Sequence, residues 1–159
     1  MAENDIYNNQ KRYENFISNI DKLTNKPTNR KQKYYCKNPI NIQYFRILIT
    51  YTEVKDLSYI RRLRVMQILK LITFITKKDL QECEREDINE IITFTHTTHK
   101  TVASKRDVIK DLKCIWKVLF PEKDQKGRID ESITPYVVRH LSRSVDKSKE
   151  KIRNDRLTY

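Results

Sequence analysis

Apolar residues recur at helical spacing through most of the chain and divide it into separate segments. Each segment repeats apolar side chains every three or four residues, which is the pattern of a helix with one buried face. Four strong segments cover residues 41–52, 57–75, 85–95 and 102–120, and weaker ones cover residues 6–23 and 135–141. We therefore predict an all-α protein: a four-helix bundle with an N-terminal helical arm and a C-terminal helical extension.

Residues at the segment ends support these boundaries. Asn38-Pro39 precedes the first main segment, and Ser58 can cap the second. Pro121 ends the fourth because proline cannot continue a helix comfortably. After its first two turns the second segment is apolar on almost every side, so it is predicted to be the buried centre of the bundle. The large aromatic residues are also predicted to lie in the core, namely Phe45, Phe74, Phe94, Trp116 and Phe120.

Composition narrows the classes of function. The 159 residues include one glycine, Gly127, which excludes glycine-rich phosphate loops, dinucleotide fingerprints and most tight hairpins. The three cysteines are widely spaced and do not match a disulfide framework or a zinc motif. No apolar run approaches the ~18 residues that span a membrane, and the first residues do not resemble a signal peptide. We expect no cofactor, no metal, no membrane partner and no small-molecule substrate.

The net charge of +12, with a pI near 9.6, favours a polyanionic partner, and nucleic acid above all. The fourth main segment concentrates cations within about 60° on one side of the predicted helix. These cations are Arg106, Lys110, Lys113 and Lys117, and the opposite apolar stripe is Val108, Leu112, Ile115 and Leu119. One face would then pack in the core while the other contacts a polyanion, although a lysine-rich face that serves only solubility is the alternative.

Further cations lie at predicted helix starts. Lys100, Ser104 and Lys105 lie in the turn before the fourth segment and at its start, where N–H groups suit a phosphate oxygen. Arg61, Arg62 and Arg64 open the second segment. If both helices begin at the same end of the bundle, these residues form one basic rim. A basic stretch at residues 26–37 is predicted to be a linker or an arm, and His96-x-x-His99 lacks the further ligands that a metal needs.

Four short motifs follow one another in order along the chain: the helix at residues 41–52, KDLSYIRR at 55–62, Asp87-Ile88, and residues 101–117 ending in KDLKCIWK. Together they make residues 38–121 resemble the SAM-like core-binding domain that precedes the catalytic domain of tyrosine recombinases and phage-type integrases. The tail, with GRID at 127–130 and PYVVRHLS at 135–142, is most similar to archaeal integrase-like proteins.

The resemblance implies an N-terminal helix and basic arm at residues 1–37, the core-binding domain at 38–121 and a basic extension at 122–159. Such domains form one half of a C-shaped clamp around duplex DNA. The implied partners are double-stranded DNA and other recombinase protomers, in a cytoplasmic, nucleoid-associated protein. The residues expected to contact DNA are Arg61, Arg62, Arg64, Lys100, Ser104, Lys105, Arg106, Lys110, Lys113 and Lys117.

Catalysis is not expected from this chain. The family cuts DNA with an Arg, a Lys, an H-x-x-R pair, a further His or Trp and a Tyr, all in a separate domain. His140 and Arg143 match H-x-x-R by letter but precede the place where that domain would start, and residues 155–159 resemble its first residues. We therefore predict no catalytic residue and expect a fragment, a truncated gene product or a stand-alone DNA-binding protein.

Three alternatives remain open. The acidic run at residues 79–87 favours a protein-interaction module, an accessory that pairs with a full-length recombinase through the second or third main helix. An unrelated basic helical regulator is the second alternative, and catalysis at an unrecognised site is the third.

Overall fold

A computed structural model describes residues 8–28, 33–98 and 102–141. Within these ranges the chain forms six α-helices and no β-strand, which confirms the all-α prediction. The helices are α1 (Asn9–Ser18), α2 (Ile42–Val54), α3 (Tyr59–Ile75), α4 (Arg85–Thr98), α5 (Val102–Leu119) and α6 (Tyr136–Arg139). Short 3₁₀ turns occur at Ile20–Lys22, Pro39–Asn41 and Leu80–Glu82.

Local side-chain contacts occur at several of the helix ends. The Ser58 hydroxyl accepts the Arg61 N–H at 3.3 Å, so α3 begins where the sequence predicts. The segment predicted as one helix over residues 6–23 is shorter: α1 ends at Ser18, and the Asn15 carbonyl accepts both the backbone N–H of Asn19, at 3.1 Å, and its side-chain amide, at 2.8 Å. By contrast, α4 is longer than the segment predicted over residues 85–95, because it continues to Thr98. Threonine hydroxyls along its last turns bond back to carbonyls of the preceding turn.

The chain divides into two compact units, Met1–Cys83 and Glu84–Tyr159. This division differs from the boundaries predicted after residues 37 and 121. In the first unit α1 packs against α3, and the Lys37 N–H donates to the Thr73 carbonyl at 3.2 Å. In the second unit α6 packs against both α4 and α5. The predicted arm and extension therefore contribute described residues to the compact units.

The core of the first unit is built around α3. Nine of its 17 residues are buried, and after the first two turns Gln67 alone is exposed, whereas a place at the centre of a four-helix bundle stays a prediction. Met66, Leu69 and Ile72 are inaccessible to solvent, as are Phe45 and Leu48 of α2. Each large apolar side chain buried in this way contributes about 1.5–3 kcal/mol.

A buried asparagine connects the start of α2 to the segment after α3. The Asn41 side chain is 0% exposed. Its amide donates to the Lys78 carbonyl at 2.9 Å, and its oxygen accepts the Leu80 N–H at 3.0 Å. Nearby, the Tyr44 hydroxyl donates to the Asp79 carboxylate, which also caps the 3₁₀ turn at Leu80–Glu82. These hydrogen bonds connect the start of α2 to the segment that follows α3.

The core of the second unit lies where α4, α5 and α6 meet. Its most buried side chains are Ile88, Ile91, Leu112, Ile115, Trp116 and Val138. Of the aromatic residues predicted to be core, Phe45 and Trp116 are buried, whereas Phe74, Phe94 and Phe120 are only partly covered. After α5 a tight loop turns at Gly127, whose φ of +80° favours glycine.

Candidate nucleic-acid interface

The second unit carries a row of cations along α5. The apolar stripe of this helix is at most 9% exposed and grips the core, as predicted. On the remaining surface Lys110 is exposed, and Lys105, Arg106, Lys113 and Lys117 are partly exposed. Asp111, an acid within the same stretch, is 1% exposed and therefore lies inside the unit rather than on this surface. Lys110, Lys113 and Lys117 thus share one outward side of α5, whereas Lys105 lies nearer the apolar stripe and the Nε of Arg106 is buried.

Three members of this row, Lys110, Lys113 and Lys117, form no ion pair with any residue in the described ranges. Their spacing of three and four residues keeps them on one side of the helix, and the rise of 1.5 Å per residue makes the row about 10 Å long. We call these three residues the lysine row. Uncompensated cations on a rigid helix are available to an external polyanion.

Arg85 of α4 places a positive charge near His140, as Lys113 of the lysine row does. The pKa of His140 is lowered, first by partial burial of the ring and then by the positive charges of Arg85 and Lys113. The His140 Nε2 lies 2.7 Å from the Asn89 side-chain oxygen, so the ring is held in place. In the sequence, His140 was considered only because it matches the H-x-x-R pattern of catalytic residues. Arg85 was not selected at all.

Arg85 is held by the tail of the same unit. Its Nε donates to the Tyr136 carbonyl at 3.0 Å, and its guanidinium lies 3.7 Å from the centroid of the Tyr136 ring. The Arg85 side chain is partly exposed, so its charge still contributes to the surface. Arg139, by comparison, is neutralised by Glu122 at 2.7 Å. No single signal in the sequence distinguishes these two arginines.

The first unit holds the three arginines predicted at the start of α3, and they differ from one another. Arg61 is partly exposed and Arg64 is exposed, but Arg62 is 8% exposed. The Arg62 Nε donates to the Leu57 carbonyl at 2.8 Å. Its guanidinium lies about 5 Å from the centroids of the Tyr13 and Tyr59 rings. The Arg62 side chain thus takes part in the packing of its own unit, and its predicted contact with DNA stays a prediction.

The predicted contact residues thus fall in both units. Arg61 and Arg64 remain candidates in the first, and Ser104, Lys105, Arg106, Lys110, Lys113 and Lys117 remain candidates in the second. Lys100 lies outside the described residues. The single basic rim predicted from both helices stays a prediction.

Within the described residues, no group of three or more His, Cys, Asp or Glu side chains could hold a metal ion. None of the helices there is long and apolar enough to cross a membrane.

Comparison with known proteins found no match, whether among protein-family models, curated proteins or solved structures.

Proposed function

We propose that this chain binds double-stranded DNA as the core-binding half of a tyrosine recombinase or integrase, without catalytic activity of its own. In this proposal α2, α3, α4 and α5 are the four helices of a SAM-like domain. The lysine row on α5 is the observation that carries the DNA-binding part. The resemblance of residues 38–121 supports the recombinase part.

The geometry of the lysine row suits a phosphate backbone. One strand of duplex DNA presents a phosphate for every 3.4 Å along the helix axis, so a row of about 10 Å matches about three successive steps. Contacts with phosphates position a protein on DNA without reading the base sequence. We therefore expect affinity to come mainly from phosphates and sequence preference to be modest.

The decisive experiment is fluorescence anisotropy with a labelled duplex of about 30 base pairs at several salt concentrations. If six to ten phosphates are contacted, log K should fall with log salt at a slope of roughly −5 to −9. Replacing Lys110, Lys113 and Lys117 together by Gln should weaken binding and reduce that slope by up to about 3.

A matched control removes the same charge elsewhere. Lys55, Lys123 and Lys126 are exposed and do not belong to α5, so their replacement by Gln tests net charge alone. The slope of this control should stay closer to that of the unmodified chain. Equal effects of the two triple variants, or no duplex binding by the unmodified chain at low salt, would contradict the proposal. The recombinase part predicts that the genomic reading frame after codon 159 encodes an Arg, an H-x-x-R pair and a Tyr.

A second candidate function, a module that binds another protein, is favoured by an apolar stripe on the first unit. Ile40, Ile47 and Val54 recur at seven-residue spacing along α2 and the turn before it, and they are 54%, 44% and 79% exposed. The acidic run favours it less, because the Asp87 carboxylate accepts the Glu84 N–H at 2.9 Å and Asp79 caps a turn. Ile47→Asp should abolish binding to a recombinase protomer in sedimentation experiments if this function holds, while duplex binding persists.

A further inference from the structure

The first unit contains a half-open cavity of about 520 Å³ between α1 and α3. Arg12 and Asn15 of α1 line the cavity together with Gln67 and Lys70 of α3. Lys22 and Lys26, from the segment that follows α1, line it as well. A volume of this size lies within the ~300–1,000 Å³ that small-molecule sites occupy.

The charged side chains that line the cavity are all positive. They are Arg12, Lys22, Lys26 and Lys70, and none of the described residues that line it is a carboxylate. None of these four side chains forms an ion pair with a residue that the structure describes. Asp21, which lies beside Lys22 in the sequence, instead pairs with Arg46 at 2.8 Å. Four uncompensated cations around one concave space favour an anion.

Lys70 adds an energetic reason. Burial lowers the pKa of its ammonium group, because the charged form loses part of its hydration. An anion placed in the cavity would restore favourable interactions to that charge. The other three cations are exposed, so they keep their hydration in the unliganded protein and are accessible to such a ligand.

The uncharged part of the lining indicates more than a bare anion. Phe16, Leu63 and Pro27 supply an apolar surface, and the amides of Asn15 and Gln67 supply both donors and acceptors. Apolar contact suits the face of a planar ring, and amides suit the polar edge of a base. The combination of cations, apolar surface and amides matches a nucleotide.

We propose that the cavity between α1 and α3 binds a single phosphorylated nucleotide, with the phosphate among Arg12, Lys22, Lys26 and Lys70 and the base toward the amides. A duplex is too wide for a space of this size, so the ligand is an unpaired nucleotide of a DNA strand or a free nucleotide. This site shares no residue with the lysine row of α5, and it stands or fails independently of duplex binding.

The test is an NMR titration of the full chain with 2′-deoxyadenosine 5′-monophosphate. Deoxyadenosine and inorganic phosphate serve as the two halves of the ligand. The nucleotide should shift amide resonances of α1 and α3, and each half should bind at least about tenfold more weakly. Inorganic phosphate binding as tightly as the nucleotide would overturn the proposal, as would the absence of any shift at millimolar nucleotide.

Variants locate the site. Arg12→Gln combined with Lys22→Gln should weaken nucleotide binding about tenfold, because two of the four cations proposed to contact the phosphate are lost. Both side chains are exposed, so their loss leaves the core intact. The matched control, Lys11→Gln with Lys55→Gln, removes the same charge from exposed positions outside the cavity. Equal binding by the two double variants would overturn the assignment.

A final arm identifies the source of the nucleotide. A short single strand with a 5′-phosphate is titrated beside the mononucleotide. Tighter binding of the strand supports the site and assigns it to unpaired DNA, whereas binding of the mononucleotide alone supports the site and assigns it to free nucleotides. Binding of neither ligand overturns the proposal, whatever the lysine row does with duplex DNA.

Discussion

Replacing Arg62 should destabilise the first unit rather than weaken DNA binding directly. The side chain is only 10% exposed, although it carries a full charge. Its Nε donates to the Leu57 carbonyl at 2.8 Å, and the guanidinium lies 5.1 Å from the Tyr13 ring centroid and 4.9 Å from that of Tyr59. These contacts join α1 to the start of α3.

The expected magnitude follows from the individual contacts. A hydrogen bond from a charged donor contributes about 1.5–3 kcal/mol, and a cation over an aromatic ring contributes about 0.5–1 kcal/mol or more when desolvated. The ion pair with Asp56 adds little, because the distance is 3.4 Å and the carboxylate is 97% exposed. Since such contributions are not additive, we expect Arg62→Ala to cost about 3 kcal/mol.

Urea unfolding followed by circular dichroism at 222 nm measures this loss. With a denaturant slope of about 1–3 kcal/mol per molar urea, a cost of about 3 kcal/mol lowers the midpoint by about 1–3 M. The urea midpoint of Arg62→Lys should lie between those of the unmodified chain and of Arg62→Ala, because lysine keeps the charge but not the planar group. Arg64→Ala should change stability by no more than about 0.5 kcal/mol. An unchanged midpoint for Arg62→Ala would refute the structural role assigned to this residue.

Three further outcomes are expected. Leu112→Ala, at a position 0% exposed, should cost about 2–5 kcal/mol, measured by urea unfolding with Trp116 fluorescence; a cost below about 1 kcal/mol would contradict its place in the core. Asn41→Ala should cost about 2–3 kcal/mol in the dichroism assay, because it leaves two backbone groups without their partner; a neutral result would argue against that bridge. Since the folded state lowers the pKa of His140, the unfolded chain takes up a proton first as the pH falls below about 6.5, so the free energy of unfolding should fall there. Urea midpoints at three pH values should fall less in His140→Gln, and equal losses would contradict this linkage.

The helices could be predicted because their signals are local. Ser58 and the apolar repeat of α3 lie within a few residues of the structure that they determine. The end of α1 was missed because a periodicity over residues 6–23 does not show that the helix ends at Ser18 and a 3₁₀ turn follows at Ile20–Lys22. The division between Cys83 and Glu84 depends on packing between elements distant in sequence, so no local pattern reveals it.

The candidate site was only partly predictable for the same reason. Arg61, Arg62 and Arg64 look equivalent in one helical turn, yet the Tyr13 ring that takes Arg62 out of solvent belongs to a different helix. The cavity in the first unit was missed entirely, because Arg12 and Lys70 lie far apart in the sequence and meet only when α1 packs on α3. The α5 face was predicted because all its members lie on one helix.

The role of each cation is decided by what already neutralises it. Arg46 and Arg139 pair with carboxylates, and Lys37 lies 4.3 Å from the centroid of the Phe74 ring, so these charges are partly used within the protein. The lysine row and the four cations of the cavity have no such partner among the residues that the structure describes. If the lysine row and the cavity both bind DNA, substitutions in the lysine row should reduce the salt dependence for a duplex and leave nucleotide binding unchanged. Substitutions in the cavity should weaken nucleotide binding and leave the salt dependence of duplex binding unchanged, because each site would then release its own counterions.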